Sequence, residues 1–578
     1  MMSSRRGGVR VLIGAGVGVL LGAGGGGAVA RAANAAPVAS ATPPPPPDEL
    51  GRIDFAVTGT PPARQHFVRG VLAMHSFWYE EARDEFQAAT RFEPTFAMGY
   101  WGEALTYFHP VWSQENLVGE RAALARIPAG ARMTAREEGL ISAARILVGT
   151  GGLPARWTAY AEALRGLHQR FPEDDEVATL FAVALLGNGY RDREAGTAPP
   201  DFRPFAEAAA IGLEVLGRNP RHPGAAHYVI HAFDDPEHAI LALPAARVYA
   251  QIAPEASHAR HMPSHIFVQL GMWPEADASN EAAWAASEAW IQRKHLDPSF
   301  SDFHSLSWLQ AIALEEGQVR RAREILGRGL AVLKASRDPD WGPLQAGRMG
   351  AEYILRTGEW PRMDELLAPL RTVRQTVRSS ATQAAMPGCK GHVEASAARA
   401  GLFADAWLAF MEGEAAAARD DTATLASSRA ALAGIVARMT ALTVDADELR
   451  DWKVRNLELD ARSAELGRAP GEVVGILRSA ATLDESVPAS GVVGDILPRE
   501  RLGEYLLAQG RAPEALAEFR RALRLLPRRA RSLLGAGRAA RVAGDPSARG
   551  YYAELAQVWA HADGAPAVIE ARTLAAAP

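Results

Sequence analysis

The feature that most constrains the fold is a repetition at a spacing of 34 residues. Blocks that begin with glycine and carry alanine five residues later recur at Gly271–Ala276, Gly317–Ala322 and Gly510–Ala515, and Gly544 lies 34 residues after the first residue of the last block. Between residues 516 and 526, apolar residues recur at three- and four-residue spacing, which predicts an amphipathic helix. A repeat of this length predicts one helix-turn-helix unit, which buries its apolar face only by stacking on its neighbours.

The first unit resembles the tetratricopeptide repeat (TPR) family. When Ala82 is aligned to position 20 of the 34-residue motif, Phe86, Ala89 and Pro94 take positions 24, 27 and 32, and Gly70 takes position 8. These are the small, aromatic and proline residues typical of TPR units. The resemblance implies an all-α fold, a TPR helix-turn-helix solenoid with two or more arrays in a right-handed superhelix.

The chain divides into five segments. Residues 1–33 combine arginines, an apolar stretch of about 13 residues and then small residues, which is typical of a cleaved signal peptide. We therefore expect an exported protein, periplasmic or secreted, with no stable membrane anchor. A Pro- and Ala-rich disordered tether is predicted over 34–55. The other predicted segments are an N-terminal TPR array at 56–340, degenerate helical repeats at 341–487 and a C-terminal TPR array at 488–578. A loop is predicted over Asn188–Pro204, which is rich in Gly, Pro and charged residues.

Composition excludes several kinds of function. The net charge is −5 over 578 residues and there is no long basic run, so nucleic acid is not an expected partner. The single cysteine rules out intramolecular disulfides and thiolate-rich metal sites. There is no phosphate loop or dinucleotide fingerprint, so no nucleotide cofactor is expected, and there is no HExxH motif of a zinc protease.

Histidines cluster in the N-terminal array at the repeat period. Seven of the 15 histidines lie between His222 and His265. The pair His227 and His231 recurs 34 residues later as His261 and His265. Residues i and i+4 share one helix face, and adjacent units place their first helices side by side. The four imidazoles of the two pairs are therefore predicted to converge.

The TPR register places these histidines on the concave groove, which in that family is lined by positions 2, 5, 9, 12 and 13 of the first helix. Six candidate metal ligands follow: His227, His231, His258, His261, His265 and His304. Neutral imidazoles suit copper, iron or zinc, so a transition metal is the predicted cofactor. Eight further residues are predicted to accept hydrogen bonds behind the imidazoles or to line the same groove: Asp234, Asp235, Asp302, Glu103, His75, His109, Arg64 and Trp101.

Pro263 lies inside the predicted first helix of the second pair. Proline is tolerated in the first turn of a helix and not in its interior. We therefore expect the helix to start near Pro263, which would weaken the i,i+4 geometry of His261 and His265 relative to the first pair.

Two classes of function fit these patterns. One is a transition-metal site, holding one ion or two at a bridging distance, that binds or delivers metal or serves a metal-dependent oxidoreductase acting on a small-molecule substrate. The other is a metal-free interaction scaffold that binds a protein or peptide in the groove. The block His258–Trp273, with the pattern HxxHMPSHIFxxLGxW, resembles a group of exported bacterial TPR proteins and implies no catalytic residues.

Overall fold

The computed structural model of the chain describes residues 47–194, 201–337, 342–383, 392–442, 446–486 and 496–576. Within these ranges the protein is almost entirely helical, which confirms the predicted all-α solenoid. Two short antiparallel strands, β1 (Phe108–His109) and β2 (Gln114–Glu115), form the one sheet within these ranges. The predicted signal peptide and most of the predicted tether lie outside the described residues.

Most consecutive helices pack against each other. The helices up to residue 335 are α1 Pro61–His75, α2 Tyr79–Phe92, α3 Ala97–Leu105, α4 Leu117–Ala125, α5 Ala135–Leu147, α6 Leu153–Arg170, α7 Asp175–Glu194, α8 Arg203–Arg218, α9 Pro223–Ala232, α10 Ala239–Ile252, α11 Ser257–His261, α12 Pro263–Gln269, α13 Trp273–Lys294, α14 Phe303–Glu315 and α15 Val319–Ala335. The helices that follow are α16 Gly342–Thr357, α17 Met363–Leu366, α18 Ala368–Gln383, α19 His392–Ala417, α20 Thr422–Ala441, α21 Ala446–Leu466, α22 Pro470–Asp484, α23 Pro498–Ala508, α24 Ala512–Leu525, α25 Ala530–Ala543, α26 Ala548–Val558 and α27 Pro566–Ala576. No described helix is long and apolar enough to cross a membrane.

The recurring glycines form the turns between paired helices. Gly271, Gly317 and Gly510 have φ values of 66°, 71° and 75°, in the left-handed region that glycine adopts without steric cost. Each lies two residues before the second helix of its pair. The repeated sequence block is therefore a turn that the backbone geometry requires.

Small residues recur where helices touch. A Cβ atom added to Gly70 or Gly102 would lie 2.7 or 2.4 Å from the Phe86 ring, so this ring fits between two helices only because both positions are glycine. In the same way, a Cβ atom added to Gly535 would lie 2.3 Å from the Phe519 ring. The same packing unit therefore occurs in both arrays, as the repeat predicts.

The C-terminal helices pack against the turns of the N-terminal array. The indole nitrogen of Trp273 donates to the Arg528 carbonyl at 2.9 Å, and that of Trp559 donates to the Glu315 carbonyl at 2.9 Å. One hydrophobic cluster consequently includes residues from Leu50 to Ala571. Residues between Trp284 and Leu459 form a second cluster.

The predicted loop over Asn188–Pro204 is wrong in its first part, because α7 continues to Glu194. Tyr190 donates its hydroxyl to the His231 carbonyl at 2.9 Å, and the buried Arg191 donates to the Pro154 carbonyl at 3.2 Å. These long-range contacts stabilise the last turns of α7 and outweigh the local composition.

Candidate metal centre

The first three-histidine group, His227, His231 and His258, joins an HxxxH pair on α9 to a histidine on α11. One ring nitrogen of each lies within 4.8 Å of the others, and the Nε2 atoms of His227 and His258 are 3.1 Å apart. Metal–nitrogen bonds of about 2.0–2.1 Å place two ligands of one ion about 2.9–3.4 Å apart at angles of 90–110°. This spacing matches ligands of a common ion.

The second three-histidine group repeats the first. His261 and His265, at the seam of α11 and α12, meet His304 on α14, again with one ring nitrogen of each within 4.8 Å. The Nε2 atoms of His261 and His265 are 2.9 Å apart. Both groups therefore take positions 5 and 9 from one unit and position 2 from the next. The four imidazoles of the two pairs were predicted to converge, but the structure places them in two neighbouring groups.

Pro263 begins a helix, as predicted, yet the second pair is as close as the first. The ring centroids are 4.7 Å apart for His227 and His231 and 4.9 Å apart for His261 and His265. Met262 keeps helical dihedrals, φ −54° and ψ −34°, so α11 and α12 continue with little change of direction. Pro263 therefore falls in a first turn, where proline is tolerated, and the expected weakening is wrong.

Hydrogen bonds at Nδ1 determine the tautomer of three ligands. The acceptors are His75 O for His227, Asn280 Oδ1 for His261 and Asp234 Oδ2 for His265, each at 2.7 Å. The amide nitrogen of Asn280 donates elsewhere, to the Ala276 carbonyl, which leaves its oxygen as the acceptor. These oxygens only accept, so each Nδ1 carries the proton and each neutral ring presents a lone pair at Nε2.

The second group consequently contains two lone pairs that face each other. The Nε2 atoms of His261 and His265 lie 2.9 Å apart, and when both rings are neutral neither can donate to the other, because the one N–H of each ring is at Nδ1. In the first group, His231 Nε2 is buried and has no hydrogen-bond partner among the described residues. Buried polar nitrogens are rarely left unpaired, and a bound cation would satisfy all three.

Burial favours the neutral form of five of the six imidazoles. Together with the charge of His265, burial lowers the pKa of His231 to about 3 and the pKa of His261 to about 4. The pKa values of His227, His258 and His304 lie well below the usual value for the same reasons. At neutral pH these five rings are therefore free of added protons and available as ligands.

A third group of potential ligands, His75, Glu176 and His222, differs in its hydrogen bonds. Glu176 accepts from Nε2 of His75 at 2.9 Å and from Nε2 of His222 at 3.0 Å, and all three side chains are fully buried. His75 Nδ1 bonds the Tyr228 hydroxyl at 2.9 Å, and His222 caps α9 by accepting from Ala225 N. Burial acts to raise the pKa of Glu176, but the two histidines lower it to about 2. This group is internally satisfied and supports the fold.

An aromatic ring covers each three-histidine group. The Phe77 ring centroid lies 4.3, 5.5 and 5.6 Å from those of His227, His231 and His258. The Trp308 centroid lies 5.0, 4.5 and 5.6 Å from the three rings of the second group. His258, His265 and His304 remain partly exposed. Solvent therefore reaches the first group at His258 and the second group at His265 and His304.

Phe77 occupies a turn position that is glycine in the repeated blocks described above. It lies two residues before α2, as Gly271 lies two residues before α13, and its φ is +52°. A bulky residue in this left-handed region costs about 1–2 kcal/mol. The strain is retained at a residue whose ring contacts all three histidines of the first group, which fits a role at the site.

Only some of the eight other predicted residues contact the candidate ligands. Asp234 lies behind His265, and His75 contributes its carbonyl to His227. Asp302 instead caps α14 by accepting from Ser305 N at 3.0 Å, and Asp235 accepts from His238 Nδ1. Neither Asp302 nor Asp235 bonds a candidate ligand in the described hydrogen bonds.

The remaining four predicted residues bond or pack away from the two groups. Glu103 pairs with Arg126, His109 bonds the Thr106 carbonyl at 3.1 Å, and Arg64 lies exposed on α1. Trp101 is 1% exposed and packs on Phe67 in the core instead of lining the groove, because the α1–α3 interface needs a large apolar side chain.

Sequence reasoning missed three residues. Asn280 and Glu176 were absent from the predicted set because each acts on histidines from a distant part of the chain and belongs to no motif. Phe77 had a signal, since it replaces the expected turn glycine immediately after His75-Ser76.

A cleft of about 140 Å³ lies beyond the second group. Its lining is polar and aromatic and includes Arg348, Trp407, Trp452 and Arg455. The charge of Arg348 contributes to the lowered pKa of His304, after burial and the neighbouring histidines, which places the cleft close to that ligand.

The chain is only distantly similar to known proteins. No family model matches, and no curated protein sequence matches. A solved structure of the human IFIT1 dimer with m7Gppp-AAAA is 14% identical, with a TM-score of 0.37 over 92% of each chain. A tetratricopeptide repeat protein from Parabacteroides merdae is 11% identical, with a TM-score of 0.26 over 60% of this chain and 99% of the other. The assignment as an all-α solenoid of TPR-type helix pairs rests on the helix pairs described above, and the RNA named with IFIT1 concerns that protein.

Proposed function

We propose that this protein binds two transition-metal ions, one in each three-histidine group. The observation that carries the proposal is the pair of Nε2 lone pairs of His261 and His265, 2.9 Å apart with both Nδ1 protons donated elsewhere. A shared cation converts this repulsion into two bonds. The signal-peptide pattern of residues 1–33 supports binding outside the cytoplasm.

Copper is the metal that the ligands favour. The two groups consist of imidazoles alone, without the thiolates of structural zinc sites or the carboxylate of common non-haem iron sites. Affinity for nitrogen ligands rises along the divalent series to copper. Zinc is the nearest competitor, because three histidines and one open position also suit a tetrahedral ion.

Metal content of protein prepared without a histidine tag tests the proposal. We expect about two equivalents of copper after reconstitution, and loss of both in a His231→Ala/His265→Ala double variant whose helical circular dichroism is unchanged. His238→Ala is the matched control, because His238 bonds Asp235 outside both groups. Less than about 0.2 equivalents after separate reconstitution with copper, zinc and iron would overturn the proposal and leave the metal-free scaffold.

A redox role is the second candidate function. Three protein ligands per ion leave coordination positions open, and partial exposure of His258, His265 and His304 lets a small substrate reach them. Oxygen uptake by the copper-loaded protein in the presence of a reductant tests this role. No uptake, or a preference for colourless zinc, would restrict the protein to metal binding or delivery.

A further inference from the structure

The geometry points to one dinuclear centre: the two three-histidine groups hold their ions close enough to share a small anion between them. This inference rests on the proposed function, because it needs both ions. It goes further by assigning the two sites to a single unit and by naming the class of exogenous ligand.

The two groups are connected by a single helical turn. His258 of the first group and His261 of the second lie three residues apart on α11, so they share one face, and their ring centroids are 6.3 Å apart. Asp234, three residues after His231, bonds His265 of the second group at 2.7 Å. The positions of the two ions are thus coupled through the same short elements.

Electrostatics require an additional anion. Two divalent ions bring four positive charges, and their six protein ligands are neutral imidazoles. Asp234 and Asp302 are carboxylates whose charge acts on His261. An excess of about two positive charges in a largely buried site is costly unless an anion compensates it.

The enclosure limits the size of that anion. Phe77 covers one group and Trp308 the other, and three of the ligands are partly exposed at the edge. Each ion has three protein ligands, so a bridging atom completes both coordination shells at once. Ions about 3.5–4 Å apart are typical of two-metal sites that share such a ligand. Hydroxide from water, or azide as an experimental probe, fits these limits.

Electron paramagnetic resonance of the protein loaded with two copper(II) ions tests the inference. Bridged ions couple their spins, so we expect the integrated signal to fall to less than about one tenth of that from two isolated ions. Azide should bind with a stoichiometry of one per protein and produce one charge-transfer band.

Single-site variants make the result decisive. His258→Ala removes a ligand from the first group and His304→Ala one from the second, so each should keep one copper with a full single-ion signal. His238→Ala should retain two coppers and the weak signal. Two full spins and two independent azides at a copper content of two would overturn the dinuclear centre and leave metal binding intact. A copper content below about 0.2 would instead overturn the proposed function.

Discussion

The third group, His75–Glu176–His222, and the two three-histidine groups place potential metal ligands at similar distances, within 4.8 Å of one another. In the third group each imidazole Nε2 bonds a shared carboxylate. In the other two, His231 Nε2 is unpaired and the Nε2 lone pairs of His261 and His265 face each other. Proximity of ligand atoms is therefore a poor criterion for a metal site. The third group differs from the other two because its Nε2 atoms already have a hydrogen-bond acceptor.

The largest expected effect comes from breaking the satisfied group. Glu176→Ala leaves two buried histidines without their acceptor, which should reduce the free energy of unfolding by about 3–5 kcal/mol. Urea unfolding measures this loss, and the exposed Glu237→Ala serves as the control. A loss below about 1 kcal/mol would mean that the third group does not support the fold.

Metal removal should affect only the unsatisfied groups. Copper at about 100 times its dissociation constant should stabilise the protein by about 2.7 kcal/mol per occupied site, and a chelator should reverse the change. The thermal unfolding temperature, measured with and without copper, checks this. A comparable shift in the His231→Ala/His265→Ala variant would place the bound copper elsewhere.

Glu120 extends the comparison to carboxylates. It is 1% exposed, and both of its carboxylate oxygens lack hydrogen bonds among the described residues, unlike those of Glu176. Burial, together with the charge of Glu115, raises the pKa of Glu120 to about 8. A raised carboxyl pKa stabilises the fold below the usual value near 4.5 and loses that contribution as the pH rises through about 8.

The wild-type protein should therefore lose about 1–3 kcal/mol of stability between pH 5 and pH 8.5 that Glu120→Gln does not lose. Urea unfolding at the two pH values measures the difference. Equal pH dependence in both proteins would contradict the burial argument. Glu176 has the opposite sign, since its contribution disappears only as the pH falls through about 2.

The smallest effect concerns Phe77. Both Phe77→Ala and Phe77→Gly remove the ring over the first group and should accelerate copper release from it, but the glycine variant should be about 1 kcal/mol more stable, because φ is +52°. Gly510→Ala is the matched control, with φ +75° and nothing near its added Cβ, and should lose a similar amount. An alanine variant as stable as the glycine variant would show that the turn is not strained.

Local signals in the sequence were enough to predict the helices and the candidate ligands. Turn glycines and apolar spacing are local signals, so the helix pairs could be predicted from them. The 34-residue offset and the TPR register identified six histidines that the structure brings together. The HxxxH pairs needed no tertiary information, since four residues make about one helical turn.

The way these residues are grouped depends instead on long-range packing. The assignment of His258 to the first group and His304 to the second depends on how successive units rotate, and the acceptor of His227 lies 152 residues away at His75. The contact between Trp273 and Arg528 joins positions 255 residues apart. Such contacts follow from the superhelical path of the whole chain, whereas sequence periodicity reports only which side chains share a face of one helix.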